Sequence, residues 1–107
     1  MTDHTLVLST AGSQEDARRI AHALVEKRLA ACVNIVPQIE SIYRWQGNVE
    51  QAQEYLLLIK TTATAFAAVR DAIQQLHSYE LPECICLTME DGSVSYLKWI
   101  TESVTVS

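Results

Sequence analysis

His77 stands immediately before Ser78-Tyr79-Glu80-Leu81-Pro82-Glu83, and a histidine leading into an acidic loop suits metal chemistry. Neutral imidazole is the commonest protein metal ligand, and at a helix C-terminus the charged form is stabilised by the helix dipole. One histidine does not hold an ion tightly, so a site here needs Glu83, Glu80 or a side chain from a neighbouring subunit. The competing reading is a helix-ending residue that hydrogen-bonds its loop, and the scarcity of single-histidine sites favours it. Cys84-Ile85-Cys86 puts two thiols on one face of a strand, roughly 6.5–7 Å apart by the strand rise. That is too far for a relaxed disulfide, and both thiols would have to turn toward a shared soft ion such as Cu(I). Packing is preferred for them and for Cys32, a third thiol that is also a candidate ligand, because free cysteine is among the most buried residue types.

Glu54, Lys60, Tyr79, Glu83 and Trp45 fall at strand ends and loops, where they would converge in clefts between subunits if the chain assembles. The alternative is a set of interfacial salt bridges, with Lys60 and Glu83 as a structural pair. Trp45 and Trp99 read as packing anchors at an interface rather than as a stacking platform. Nothing resembles a nucleophile elbow or a phosphate loop, His22 lies amid a helix, and the expectation is a protein that is not an enzyme.

The elements that must position these residues centre on Leu29 to Thr61. Val33, Ile35, Ile39, Tyr43 and Trp45 alternate with polar residues along one strand. Pro37 interrupts it and predicts a bulge or an unpaired edge position. Gly47-Asn48 supplies the positive-φ residues of a tight turn. The return arm is apolar at consecutive positions from Tyr55 to Ile59, as in a strand covered on both faces. Arms this long project beyond a small domain, and an uncovered apolar edge aggregates, so a neighbouring subunit is the expected cover.

Around this hairpin, Thr5–Thr10 reads as a buried strand. Ser13 and Asp16 form a capping pair for a helix over 14–28, with Ala17, Ile20, Ala21 and Leu24 inward. Thr62 or Thr64 caps a second helix bearing Phe66, Val69, Ile73 and Leu76, which Pro82 and its loop terminate. Residues 84–89 form a last strand, and Ser95 caps a final helix with Leu97 and Ile100 inward. The order predicts an α+β, ferredoxin-like βαββαβ domain: an antiparallel sheet, a long β-hairpin arm and an extra C-terminal helix. One sheet face then lacks helices. Leu56 and Leu58 on one face and Leu57 and Ile59 on the other favour an oligomer.

The chain has 107 residues, enough for a single domain over 1–107. Its net charge is −5 and its basic residues are scattered, which argues against nucleic acid and is compatible with attracting cations. No apolar run is long enough to span a bilayer, and the N-terminus lacks a secretory pattern, so the cytoplasm is the expected compartment. Three cysteines form an odd set, which favours reduced thiols.

Leu-Ala-Ala-Cys-Val-Asn-Ile at 29–35, Ser-Ile-Tyr-Arg-Trp-Gln-Gly at 41–47, Leu-Ile-Lys-Thr at 58–61, Tyr79-Glu80, Pro82-Glu83 and Tyr96-Leu97-Lys98-Trp99-Ile100 occur together in this order. In these segments the chain resembles the CutA divalent-cation tolerance proteins along nearly its whole length. The resemblance implies a ferredoxin-like homotrimer whose hairpin arms pack across subunits. It also implies a role in copper and divalent-cation tolerance through weak binding of Cu(II) or a similar ion, with no cofactor required and a further protein partner unidentified. The metal candidates are His77, Cys32 and Glu83. The cleft and interface candidates are Trp45, Glu54, Lys60, Tyr79 and Trp99. Ser78 replaces the family's usual proline, Ser9 stands where some bacterial members have a cysteine, and Leu76 replaces the first of two histidines. Of a copper site built from that cysteine and histidine pair, only His77 is retained. The shared architecture also suggests an alternative, a PII-like signalling trimer with a small ligand in its inter-subunit clefts, although the short hairpin turn is no effector loop.

Overall fold

The computed structural model describes residues 1–105. Strand β1 (His4–Ala11) is followed by helix α1 (Gln14–Glu26), and strands β2 (Cys32–Trp45) and β3 (Asn48–Thr62) form the long hairpin. A short 3-10 turn (Ala63–Ala65) leads into helix α2 (Phe66–Leu76), then strand β4 (Ile85–Thr88) and helix α3 (Val94–Ser103). The sheet order is β2-β3-β1-β4, with every neighbouring pair antiparallel. This is the expected split βαβ arrangement with the added C-terminal helix.

The core lies between one sheet face and α1 and α2. Val7, Leu57 and Ile59 project from β1 and β3 against Ile20 and Leu24 of α1 and Val69 and Ile73 of α2, all of them fully buried. Strand alternation sends Leu6, Leu8, Leu56 and Leu58 to the opposite face, beside Ile85 and Leu87 of the β4 edge. That band is only half-covered in the single chain, and Ile85 and Leu87 are exposed. Helix α3 seats Ile100 inward, and its Thr101 hydroxyl lies 2.8 Å from His4 Nε2.

Several local expectations are corrected. The hairpin turn is Gln46-Gly47, with φ of 50° and 83°, flanked by the Trp45–Asn48 pair. The left-handed residues are therefore shifted by one from Gly47-Asn48, which matches a two-residue primed turn. The bulge falls at Pro37-Gln38, where β2 gains one residue on β3 and Gln38 takes φ 59°. An inserted residue flips every later side chain. The five apolar residues expected on one face are consequently split. Val33 and Ile35 oppose Ile59 and Leu57 on the core side, whereas Ile39, Tyr43 and Trp45 pair with Glu54, Glu50 and Asn48.

Helix α1 ends at Glu26 rather than 28 because Arg28 turns left-handed at φ 59°. Helix α2 starts from the 3-10 turn without a side-chain cap, and the residue at the α3 cap is Ser93, not Ser95. The Ser13 cap is present, its hydroxyl accepting the Asp16 N–H at 3.1 Å.

Candidate functional site: a carboxylate cleft beneath the hairpin arm

The hairpin arm leaves the domain over the segment that joins α2 to β4. Between them lies a cleft of about 930 Å³, walled by Tyr43 and Trp45 of β2, Glu54 of β3, and Tyr79, Leu81 and Glu83 of the joining segment. Four of the sequence candidates, Trp45, Glu54, Tyr79 and Glu83, thus meet in one place. Lys60 and Trp99 do not line it. Lys60 donates to the Asn34 side chain across the hairpin rather than to Glu83. Trp99 stacks at a tilt on Tyr96 along α3, with ring centroids 5.3 Å apart.

Glu54 is buried, at 7% exposure, and accepts the Tyr79 hydroxyl at 2.8 Å. Burial, and then this acceptor, push the Tyr79 phenol well above its usual range, so it remains a donor at neutral pH. Desolvation and the nearby Glu54 charge raise the Glu83 carboxyl above its ordinary value. Among the described residues neither carboxylate has an ion-pair partner. Arg44 also lines the cleft, but its guanidinium donates to the Gly47 carbonyl at 3.5 Å, and among the described residues it pairs with neither carboxylate.

The metal candidates do not come together. His77 is buried at the end of α2, with Nδ1 accepting the Tyr79 amide N–H at 3.0 Å and Nε2 facing the Thr10 carbonyl. Both ring nitrogens thus face backbone groups. Cys32, half-buried on β2, has its thiol 3.8 Å from Asn34 Oδ1 and registers with Lys60. Burial pushes the Cys84 thiol up, against thiolate ligation, while Cys86 is exposed on the β4 edge. Among the described residues no three His, Cys, Asp or Glu side chains gather to hold an ion. The cleft offers the carboxylates of Glu54 and Glu83, with Glu40 and Glu80 also on its walls, donors suited to a hard or borderline cation held loosely.

Sequence reasoning missed Tyr43 as a cleft wall, since its face depends on the bulge, and it missed Asp16. The Asp16 carboxylate accepts the Ser78 hydroxyl at 2.9 Å; that bond first, and Arg19 second, hold it below the usual carboxylate range. Ser78 thereby ties the joining segment to the start of α1.

A family model described as the CutA1 divalent ion tolerance protein matches residues 5–103. The chain belongs to this family. The divalent-cation tolerance protein CutA of Thermus thermophilus is 53% identical over 98 residues, covering 92% of this chain and 95% of that one. The human protein CutA is 46% identical over 101 residues, and there the match spans only 56% of the longer relative. Among solved structures, the CutA of Xylella fastidiosa superposes with a TM-score of 0.95 at 41% identity, covering 97% of this chain and all of that chain (100%). The Archaeoglobus fulgidus structure, described as a periplasmic divalent cation tolerance protein CutA, gives 0.92 at 44% identity over 95% and 99% of the two chains. CutA names describe tolerance proteins rather than enzymes, and no helix among the described residues is long and apolar enough to cross a membrane. None of these relatives is described as a PII-type signalling protein, and the two-residue hairpin turn leaves no effector loop.

Proposed function

We propose that this chain serves divalent-cation tolerance as a homotrimer that takes up Cu(II) or a similar ion weakly at the cleft. The observation that carries the reading is the meeting of Glu83 and Glu54 in a partly desolvated cleft where, among the described residues, neither carboxylate has an ion-pair partner. A divalent ion bound there relieves the repulsion between the two carboxylates. Glu83 is the primary ligand, and the remaining donors come from water and a neighbouring subunit. His77 and Cys32, first weighed as ligands, support the loop and the hairpin instead.

The trimer rests on the half-covered apolar band and the projecting arm, both of which association would bury, and on the family resemblance for the number three. Three chains carry 3 × −5 = −15, which concentrates cations without selecting among them. This reading takes the cytoplasm as the compartment, supported by three free cysteines. Calorimetric titration of Cu(II) into the reduced trimer tests the reading. Saturable binding is expected, weakened ~tenfold or more by Glu83→Gln as a charged ligand is lost. Binding must also fade as pH falls through the raised range of Glu83, where proton and metal compete. Unchanged binding in Glu83→Gln rules out this cleft.

A further inference from the structure

His77 does more than end a helix. The Tyr79 N–H is a fixed donor, so the Nδ1 that accepts it carries no proton, and the imidazole proton sits on Nε2, which donates to the Thr10 carbonyl. The neutral ring thus bridges the end of β1 and the joining segment in a single tautomer. Tyr79 then lies against the imidazole, ring centroids 4.5 Å apart, and carries its hydroxyl to Glu54. Gly12 leaves room for that phenol, since a Cβ there would stand 2.8 Å from the Tyr79 oxygen. The seat is built from β1, α2 and β3 together, with Ser78 pinned to Asp16 of α1 on its other side.

We infer that His77 is a positioning residue: its Nδ1 lone pair seats Tyr79, and the seated phenol fixes the buried Glu54 carboxylate in the cleft wall. The chain of contacts runs from a backbone carbonyl at the end of β1 to the cleft's buried carboxylate, 23 residues earlier than His77 in sequence. This deepens the cation reading of the cleft, and rests on it only for the binding arm of the test below.

Two substitutions separate positioning from ligation. His77→Asn keeps an acceptor near the Nδ1 position, because an asparagine side chain readily takes the backbone N–H two residues on. His77→Leu keeps bulk and removes the acceptor. In amide hydrogen exchange on the trimer, the Tyr79 amide should stay protected in His77→Asn and exchange ~tenfold faster or more in His77→Leu. Cu(II) affinity should remain within ~threefold of wild type in the first and drop ~tenfold in the second, since the carboxylate loses its seat. A metal-ligand imidazole would instead lose affinity in both. Equal loss in both, or unchanged Tyr79 exchange in both, overturns the inference. Nitrogen-15 NMR of the imidazole in the unaltered protein needs no variant: the Nε2–H tautomer at neutral pH is expected, and the Nδ1–H tautomer overturns it. Absence of Cu(II) binding in wild type would sink the cation reading alone, leaving exchange and tautomer to judge the seat.

Discussion

Among the described residues, two hydroxyls in the core have no hydrogen-bond partner. Ser9 Oγ and Thr5 Oγ1 project from β1 toward the helices, in residues 0% and 3% exposed. A buried orphan hydroxyl costs more than it returns, whereas a methyl in the same space does not. Ser9→Ala is therefore expected to raise unfolding free energy by about 1 kcal/mol, read by denaturant titration at fixed protein concentration. A loss of stability would mean that the hydroxyl has a partner. At this scale the sequence exposed the chemistry but not its allocation. On paper His77 and Cys32 read first as structural residues and second as ligands, with Glu83 as a supporting donor. Only the backbone positions of Thr10 and Tyr79 reveal that both nitrogens of His77 are already engaged.

The elements were legible where their signals are local. Ser13 with Asp16, the 3.6-residue spacing of α1 and α2, and an interruption of β2 at Pro37 follow from residue type alone. Helix ends were less so. Helix α1 closes with Leu29 N–H on the Leu24 carbonyl and Arg28 N–H on the Val25 carbonyl, a Schellman pattern with Arg28 at the left-handed position. Glycine normally fills that place, and Lys27-Arg28 at the end of an apolar stripe gives no hint of it. Arg28→Gly should stabilise the protein by about 1 kcal/mol, visible as a higher melting temperature, because it removes left-handed strain from a non-glycine residue. A lower melting temperature would show that the Arg28 side chain contributes more than its backbone costs. The faces of the hairpin were misassigned beyond residue 36 for a related reason. One bulge residue reverses the alternation, and whether Pro37 inserts a residue or merely ends the pairing is decided by β3.

The whole molecule measures 44 × 25 × 22 Å, drawn out by the hairpin. Along the arm Ile42 and Val49 are each 66% exposed, with Tyr43 and Trp45 also open. An arm this apolar is a surface awaiting a partner. In the proposed trimer, Trp45→Asp should shift the species toward monomer in analytical ultracentrifugation, since losing an aromatic interface anchor commonly costs ~2 kcal/mol or more. A variant that sediments unchanged would remove the arm from the interface and direct attention to the Leu6, Leu8, Leu56 and Leu58 band.

By itself the sequence determined the element order, the ferredoxin-like topology and the family. These follow from periodicity, turn chemistry and the joint occurrence of specific segments, all of which are local or one-dimensional. The tertiary structure alone decided which polar groups meet. Glu54 and Tyr79 are 25 residues apart, and His77 and Thr10 are 67 apart. No propensity links such positions. Their contact depends on the register of β1 with β3, the twist of the arm and the path of the joining segment, and on those depends whether an imidazole is a ligand or a brace.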